Sequence, residues 1–237
     1  MGRPQGLAPV IDQLPAVVTG YFGGPHQGAA IAEALFGVTI PPASCRNRYR
    51  VTSARCRSTT ASGPAAGIGG PPPTCTAVTS ICRPTPLFAF GHGLSYTSFD
   101  YGPLKLEHDA VDVGGELRLS LTVTNTGRRR GTEVVQLYAA DTATGLTLPA
   151  QQLIGFTRVD LEPGAAKTVR FVVPMSLLAY TGLSGELVME PGPVELGAGS
   201  SSSDLRSNAT LTITGQTRTI NAEERAFLSV ATVGSKE

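Results

Sequence analysis

Glu116–Thr124, ELRLSLTVT, alternates Leu117, Leu119, Leu121 and Val123 against Arg118, Ser120, Thr122 and Thr124. Successive side chains leave an extended chain on opposite sides, so a period of two marks a strand with one face in a core and one in water. A helix would gather every third or fourth residue on one face, and that register is not kept here. The stretch is a strand, and its surroundings read the same way. Leu104–Glu107, Glu133–Ala140, Gln152–Val159, Lys167–Val173, Leu187–Met189, Val194–Leu196 and Ala209–Thr214 are further strand candidates. Turn chemistry separates them at Asn125-Thr126-Gly127, Glu162-Pro163-Gly164 and Glu190-Pro191-Gly192. Short strands at such spacing predict an immunoglobulin-like β-sandwich. Pro174–Tyr180, PMSLLAY, suits a short helical turn between strands. From Asn221 onward the chain is mixed and polar with a weak helical AEERAFL, and a frayed tail is expected.

Upstream of the strands lies Pro86–Tyr101, PLFAFGHGLSYTSFDY, a connector in which Phe88, Phe90, Tyr96, Phe99 and Tyr101 concentrate aromatic area. Buried aromatics carry large contact areas, so the segment is expected to be an anchor, packed against the sandwich or a partner domain. Gly91 and Gly93 flank His92 and let the chain turn tightly there. A packed inter-domain linker accounts for these residues better than a catalytic His92.

Residues 8–37 contain two apolar runs at helical spacing, Ile11, Leu14, Val17, Val18, Tyr21 and then Ile31, Ala34, Leu35. They predict two short helices, the first capped by Asp12 with Pro15 in its opening turns, the second stopped by Gly37. Gly23-Gly24-Pro25 breaks the chain between them. Residues 38 to 83 show neither periodicity and are rich in Ser, Thr, Pro, Gly, Ala, Arg and Cys, a composition that does not build a core.

A chain of 237 residues with 41% hydrophobic content has room for one large or two small domains. A net charge of +1 gives no electrostatic case for nucleic acid or an anionic membrane. Arg128–Arg130 reads as a solvated turn. No apolar stretch has the length of a membrane span, and MGRPQGLAPV lacks the charged-then-apolar order of a secretion signal. Gly6 stands where a myristoylation signal wants Ser or Thr, so the sequence names no compartment. Cys45, Cys56, Cys75 and Cys82 fit no C-x-x-C metal knuckle, and two disulfides among them would have three pairings.

The connector, NTG at Asn125, EVVQLY at Glu133, LIGFTRVDLEPG at Leu153 and SSSD at Ser201 together resemble, in order, the C-terminal part of glycoside hydrolase family 3, the β-glucosidase and β-xylosidase family. Gly2-Arg3-Pro4 and Gly28–Gly37 resemble the end of that family's α/β sandwich domain. The resemblance implies a mainly β chain. Residues 1–37 would be a remnant of the truncated α/β domain, 38–85 an irregular linker, 86–216 a fibronectin type III-like domain with its aromatic connector, and 217–237 a tail. In the family an ordered linker stands where residues 38–83 lie. Joining each codon's third base to the next codon's first two lets Ser44–Ala61 decode as LPESVPRHVGQVPLYYG, which looks like that linker. Two compensating frameshifts, near Gly37 and before Pro86, would produce the observed text; a natural disordered Pro/Gly linker is the alternative.

Glycoside hydrolysis uses two carboxyl groups about 5 to 9 Å apart across the scissile bond. The candidates are Asp109 and Asp112 in a turn, Asp160 and Glu162 in a hairpin connection, and Glu190 and Asp204 at strand ends, the usual places of solvated carboxylates. The resemblance puts the nucleophilic Asp in an N-terminal barrel and the acid/base in the α/β domain, and carries neither to a residue here. No nucleophile elbow or phosphate-cradling loop is present, and His26, His92 and His108 are scattered. The expectation is therefore no catalytic, cofactor-binding or metal residue. The fibronectin type III-like domain would brace the catalytic domains of a parent glycosidase, its implied partners, with self-association through exposed aromatics. A free-standing β-sandwich binding module for carbohydrate or protein is the rival. It needs a solvent-facing aromatic platform, and the chain has no Trp.

Overall fold

In the computed structural model, which describes residues 13–18, 24–40, 88–141, 146 and 148–235, the alternating stretch forms the longest ladder of the first sheet. Its strand, β4 (Glu116–Asn125), lies between β1 (Phe99–Tyr101) and β7 (Ala166–Pro174), and β2 (Lys105–Leu106) also pairs with it. The second sheet runs in the order β3 (Ala110–Asp112), β11 (Asp204–Thr214), β10 (Gly192–Ser201), β5 (Gly131–Asp141) and β6 (Gln152–Leu161). Only β3 joins its neighbour in parallel; the other pairs of this sheet are antiparallel.

The two sheets face each other across one core. Leu117, Leu119, Leu121, Val123, Val169 and Phe171 enter from the first sheet, and Val135, Leu137, Val159, Leu196, Leu211 and Ile213 meet them from the second. Each such side chain stabilises the fold by about 1.5–3 kcal/mol relative to exposure, and this burial holds the sandwich together. PMSLLAY makes the expected helical turn, a single 3₁₀ turn at Met175–Leu178 with Met175 fully buried. A small third sheet, β12 (Arg218–Ile220), β9 (Leu187–Met189) and β8 (Tyr180–Thr181), packs Ile220 and Met189 into the same core.

The frayed tail is not what the structure shows. Arg218–Ile220 is β12, and Val230–Ser235 forms β13, which pairs antiparallel with β7 from Val230↔Val172 to Ser235↔Lys167. VATVGS is short and diluted by Ala and Gly, so its β-branched residues gave little local signal. The exposed edge of β7 supplies the pairing that local sequence does not. AEERAFL is turn and irregular backbone, not helix.

Of the two expected helices, the second forms as α1 (Gln27–Leu35), ended at Phe36 with Gly37 at φ +71°. Most of the first lies outside the described residues; 13–18 run as turn and irregular backbone. The four cysteines, the segment read as frameshifted and Pro86 also lie outside them, except that 38–40 follow α1.

Candidate functional site

The connector sits on the outer face of the second sheet. On β5, Val135 and Leu137 point into the core, so Val134, Gln136 and Tyr138 point away from it, yet all three are buried. Gly91 covers Gln136: a Cβ there would lie 2.4 Å from the Gln136 amide, and its φ is +85°. Around it, the Ser202 amide donates to the Phe90 carbonyl at 2.9 Å, and the Phe88 and His92 rings stack at 4.9 Å. Gln136 Nε2 donates to the Ser200 carbonyl, and the Tyr138 hydroxyl donates to Gln136 Oε1 at 2.6 Å. The QLY of EVVQLY thus builds the seat for the aromatic turn. Burial of the connector is uneven: Tyr101 is buried, Phe88, Phe90 and Phe99 are half-buried, and Leu94 and Tyr96 are exposed.

A Gly91→Ala change meets both the positive φ and the Gln136 contact. The expected loss is about 1–3 kcal/mol, felt as loosening of residues 88–93. Hydrogen exchange should show these amides deprotected while those of β4 and β7 keep their protection; uniform loss across the sandwich would contradict a local seat.

The next turn of the connector is held by Asn125, which is fully buried. Its Oδ1 accepts from Thr97 Oγ1 at 2.7 Å and from the Gly127 amide at 3.0 Å, while Nδ2 donates to the carbonyls of Arg129 at 2.8 Å and Leu161 at 3.0 Å. One amide therefore ties the connector, the β4–β5 turn and the end of β6. Gly127 has no room for a side chain, since a Cβ would lie 2.1 Å from Thr97 Oγ1.

Beneath the connector, Tyr101 donates its hydroxyl to Glu133 Oε1 at 2.7 Å, both residues being buried. The Arg206 guanidinium lies 5.1 Å from the centre of the Tyr101 ring, donates to the Phe99 carbonyl at 2.8 Å and holds Asp204 Oδ2 at 2.8 and 3.0 Å. Ser200 Oγ donates to the same carboxylate oxygen at 2.7 Å. Burial pushes the Tyr101 phenol far above its usual range, and the neighbouring Glu133 charge adds to this. Burial also raises the Glu133 carboxyl, against the pull of the Tyr101 hydrogen bond and the Arg206 charge. Asp204 is held below the usual carboxylate range, chiefly by its Arg206 hydrogen bonds, which in turn raise Arg206.

This cluster links β1 to β5 and β11. It is built for bracing. Two open cavities lie elsewhere, and neither Tyr101 nor Glu133 lines them. One of about 610 Å³ lies between Phe36–Ile40 and Arg129–Thr132. Another of about 590 Å³ lies on the outer second sheet beside Gln151, Glu195 and Asn208.

All but one of the carboxylates weighed from the sequence make side-chain contacts within the fold. Asp112 Oδ1 accepts the Gly114 amide at 3.0 Å, Asp160 accepts the Thr132 hydroxyl, and Glu162 pairs with Arg130 at 3.4 Å on the surface. Glu190 accepts from Tyr180, whose phenol is pushed up to about 12 by burial and by this bond. Asp109 is exposed beside β3, its carbonyl accepting the Thr212 amide at 2.9 Å. His26 and His108 are exposed, and His92 is half-buried in the connector. Among the described residues, no group of three or more His, Cys, Asp and Glu is placed to hold a metal ion, and no helix is long and apolar enough to cross a membrane.

Residues 133–202 match the family model of the fibronectin type III-like domain. A β-xylosidase of Formosa agariphila is 32% identical over 222 residues, 86% of this chain and 28% of the relative. A periplasmic β-glucosidase of Salmonella typhimurium is 31% identical over 199 residues, 81% of this chain and 25% of the relative. Among solved structures, a β-glucosidase from Erythrobacter marinus superposes with a TM-score of 0.79 at 31% identity, over 90% of this chain and 27% of that one. The sandwich is a fibronectin type III-like domain. The chain that carries it belongs with the C-terminal region of glycoside hydrolase family 3, and it spans between a quarter and a third of the length of these relatives.

Proposed function

We propose that this chain is the non-catalytic C-terminal part of a β-glycosidase, whose fibronectin type III-like domain braces catalytic domains that hydrolyse O-glycosyl bonds. The observation that carries the reading is the face presented by the N-terminal arm. Helix α1 buries none of its residues, and Leu14, Val18, Leu35, Phe36 and Val38 are exposed, Phe36 to 84%. The arm meets the connector where the Tyr96 hydroxyl donates to the Ala34 carbonyl at 2.9 Å. An apolar face of this kind is a surface for another domain to cover, and in this reading the catalytic domains cover it. No residue here receives the nucleophile or acid/base role. Leu94 and Tyr96, also exposed, are the connector's contribution to self-association when that cover is missing.

The test is an assay and a capture. The chain alone should not turn over aryl β-glucosides or β-xylosides, and it should co-purify with the barrel and α/β portion of a family 3 relative when the two are co-expressed. Leu35→Ser with Phe36→Ser should weaken that capture at least tenfold. Turnover by the isolated chain would overturn the non-catalytic assignment. Retention on soluble polysaccharide without capture would favour the free-standing binding module.

A further inference from the structure

The strand β13 ends the first sheet. It pairs with β7 on one side, and among the described residues no strand pairs with its other side. Natural sheet edges are normally guarded by charge, proline or a bulge, because their unpaired amides and carbonyls template another strand. VATVGS has none of these guards: it carries no charge and no proline, and its register with β7 is unbroken over six residues. Beside it the chain exposes Phe227 to 75%, Leu228 to 77%, Val230 to 62% and Val233 to 39%, with the Arg225 guanidinium 5.3 Å from the Phe227 ring centre as a polar rim.

We propose that β13 is a homodimerisation edge, pairing antiparallel with β13 of a second copy about a two-fold axis, so that the first sheets of two sandwiches join into one. Two features select a second copy as occupant. In antiparallel self-pairing the neutral strand opposes only Val, Ala, Thr, Gly and Ser to themselves, so no like charges meet, and a two-fold uses the same patch on both chains. The area also suffices for a weak pair. At the roughly 150–250 Å² that an aromatic side chain offers, the exposed fractions of Phe227, Leu228, Val230 and Val233 come to on the order of 400 Å² per copy. Val230 and Val233 leave the strand on opposite faces, so edge pairing covers part of this area on each side of the seam along with the strand backbone, less than the roughly 1,000 Å² of a stable interface and in keeping with a weak pair. This edge is distinct from the connector and arm surfaces above and does not depend on the glycosidase reading.

Sedimentation velocity of the whole chain, in reductant to exclude intermolecular disulfides, should show a monomer–dimer equilibrium that shifts with concentration. Val230→Glu with Thr232→Glu should weaken the dimer at least tenfold while leaving the far-UV spectrum and thermal midpoint in place, since both side chains are exposed on the face of β13 turned away from the core. Leu94→Ser with Tyr96→Ser, which removes association through the connector, should leave the β13 dimer and the protection of 230–235 intact. Amides of 230–235 should gain hydrogen-exchange protection with concentration in the unaltered chain. The proposal is overturned if the chain is monomeric throughout, if the connector variant rather than the edge variant abolishes association, or if the β13 amides show no concentration-dependent protection.

Discussion

Asn125→Ala is expected to destabilise the sandwich by on the order of 3–5 kcal/mol, the largest effect of any single side-chain truncation outside the hydrophobic core. The four side-chain hydrogen bonds of Asn125 are made at full burial, so truncation leaves two carbonyls, an amide and a hydroxyl to find new partners where water has little access. Each buried group left unmade costs about 1–3 kcal/mol, and partial relaxation of Thr97 keeps the sum below the simple total. Asn125→Asp separates geometry from hydrogen-bonding capacity: the shape is kept, but Oδ2 would face the carbonyls of Arg129 and Leu161 with no hydrogen to donate. Its loss should match or exceed that of Asn125→Ala. Urea denaturation of the three proteins decides the matter, and a loss under about 1 kcal/mol for Asn125→Ala, the worth of a single hydrogen bond, would show that water replaces the amide.

The connector should come loose in the same variants. Thr97 is the connector residue that Asn125 holds directly, with Ser98 bound next to it by Thr126, so proteolysis between Leu94 and Ser98 should accelerate more than the global loss predicts.

The strands were legible because one face of each is wet. ELRLSLTVT announces itself by period two, and the turns that flank it carry Gly and Pro. Position 125 was legible only as part of a turn: in NTG the Asn reads as a turn former, and nothing local says that its side chain is aimed inward at a carbonyl thirty-six residues on. Glu133 had a signal that went unused. It shares the parity of Val135 and Leu137 on β5, so an inward carboxylate was readable once the strand was granted, and an inward carboxylate requires a donor. β13 was missed for the opposite reason: its sequence is weak, and its place is fixed by the vacant edge of β7. The expected absence of catalytic residues was drawn from apparent turn positions, yet Asp112 closes β3 and Asp160 lies within β6, because both strands run further than their local sequence signals.

Tyr101→Phe is expected to be costly at neutral pH and much less so in acid. Above the pH at which Glu133 gives up its proton in the fold, the change removes the hydroxyl that donates to Glu133 Oε1 and leaves a buried carboxylate short of a partner, a loss of about 2–3 kcal/mol for a hydrogen bond to a charged group. Burial already raises the Glu133 carboxyl, so in the fold it takes up its proton at a higher pH than in the unfolded chain. Between those two values the native state holds more protons than the unfolded state. Stability is therefore greatest in acid, falls as pH rises through the window, and is flat above it. Without Tyr101 the carboxyl loses a bond that pulls its proton affinity down, so the window widens upward and the fall grows. Near pH 4, where Glu133 is protonated, the variant should lose only about 1 kcal/mol, the worth of a neutral hydrogen bond. Asp204 works in the opposite sense: its carboxyl is lowered, so its contribution is present above the usual carboxylate range and is lost as pH falls through the lowered value. Glu133→Gln isolates the two. It keeps an oxygen for the Tyr101 hydroxyl and removes the titrating group, so the decline of stability with rising pH should vanish while the acid limb due to Asp204 stays. Denaturation curves from about pH 2 to pH 8 for the three proteins carry the test. If Tyr101→Phe costs the same at both ends, or if Glu133→Gln keeps the decline, then Glu133 is ionised in the fold at no penalty and the pair is an ordinary surface-like contact. If the decline tracks Glu133, the cluster under the connector makes the joint between β1 and β5 tighter in acid than at neutral pH.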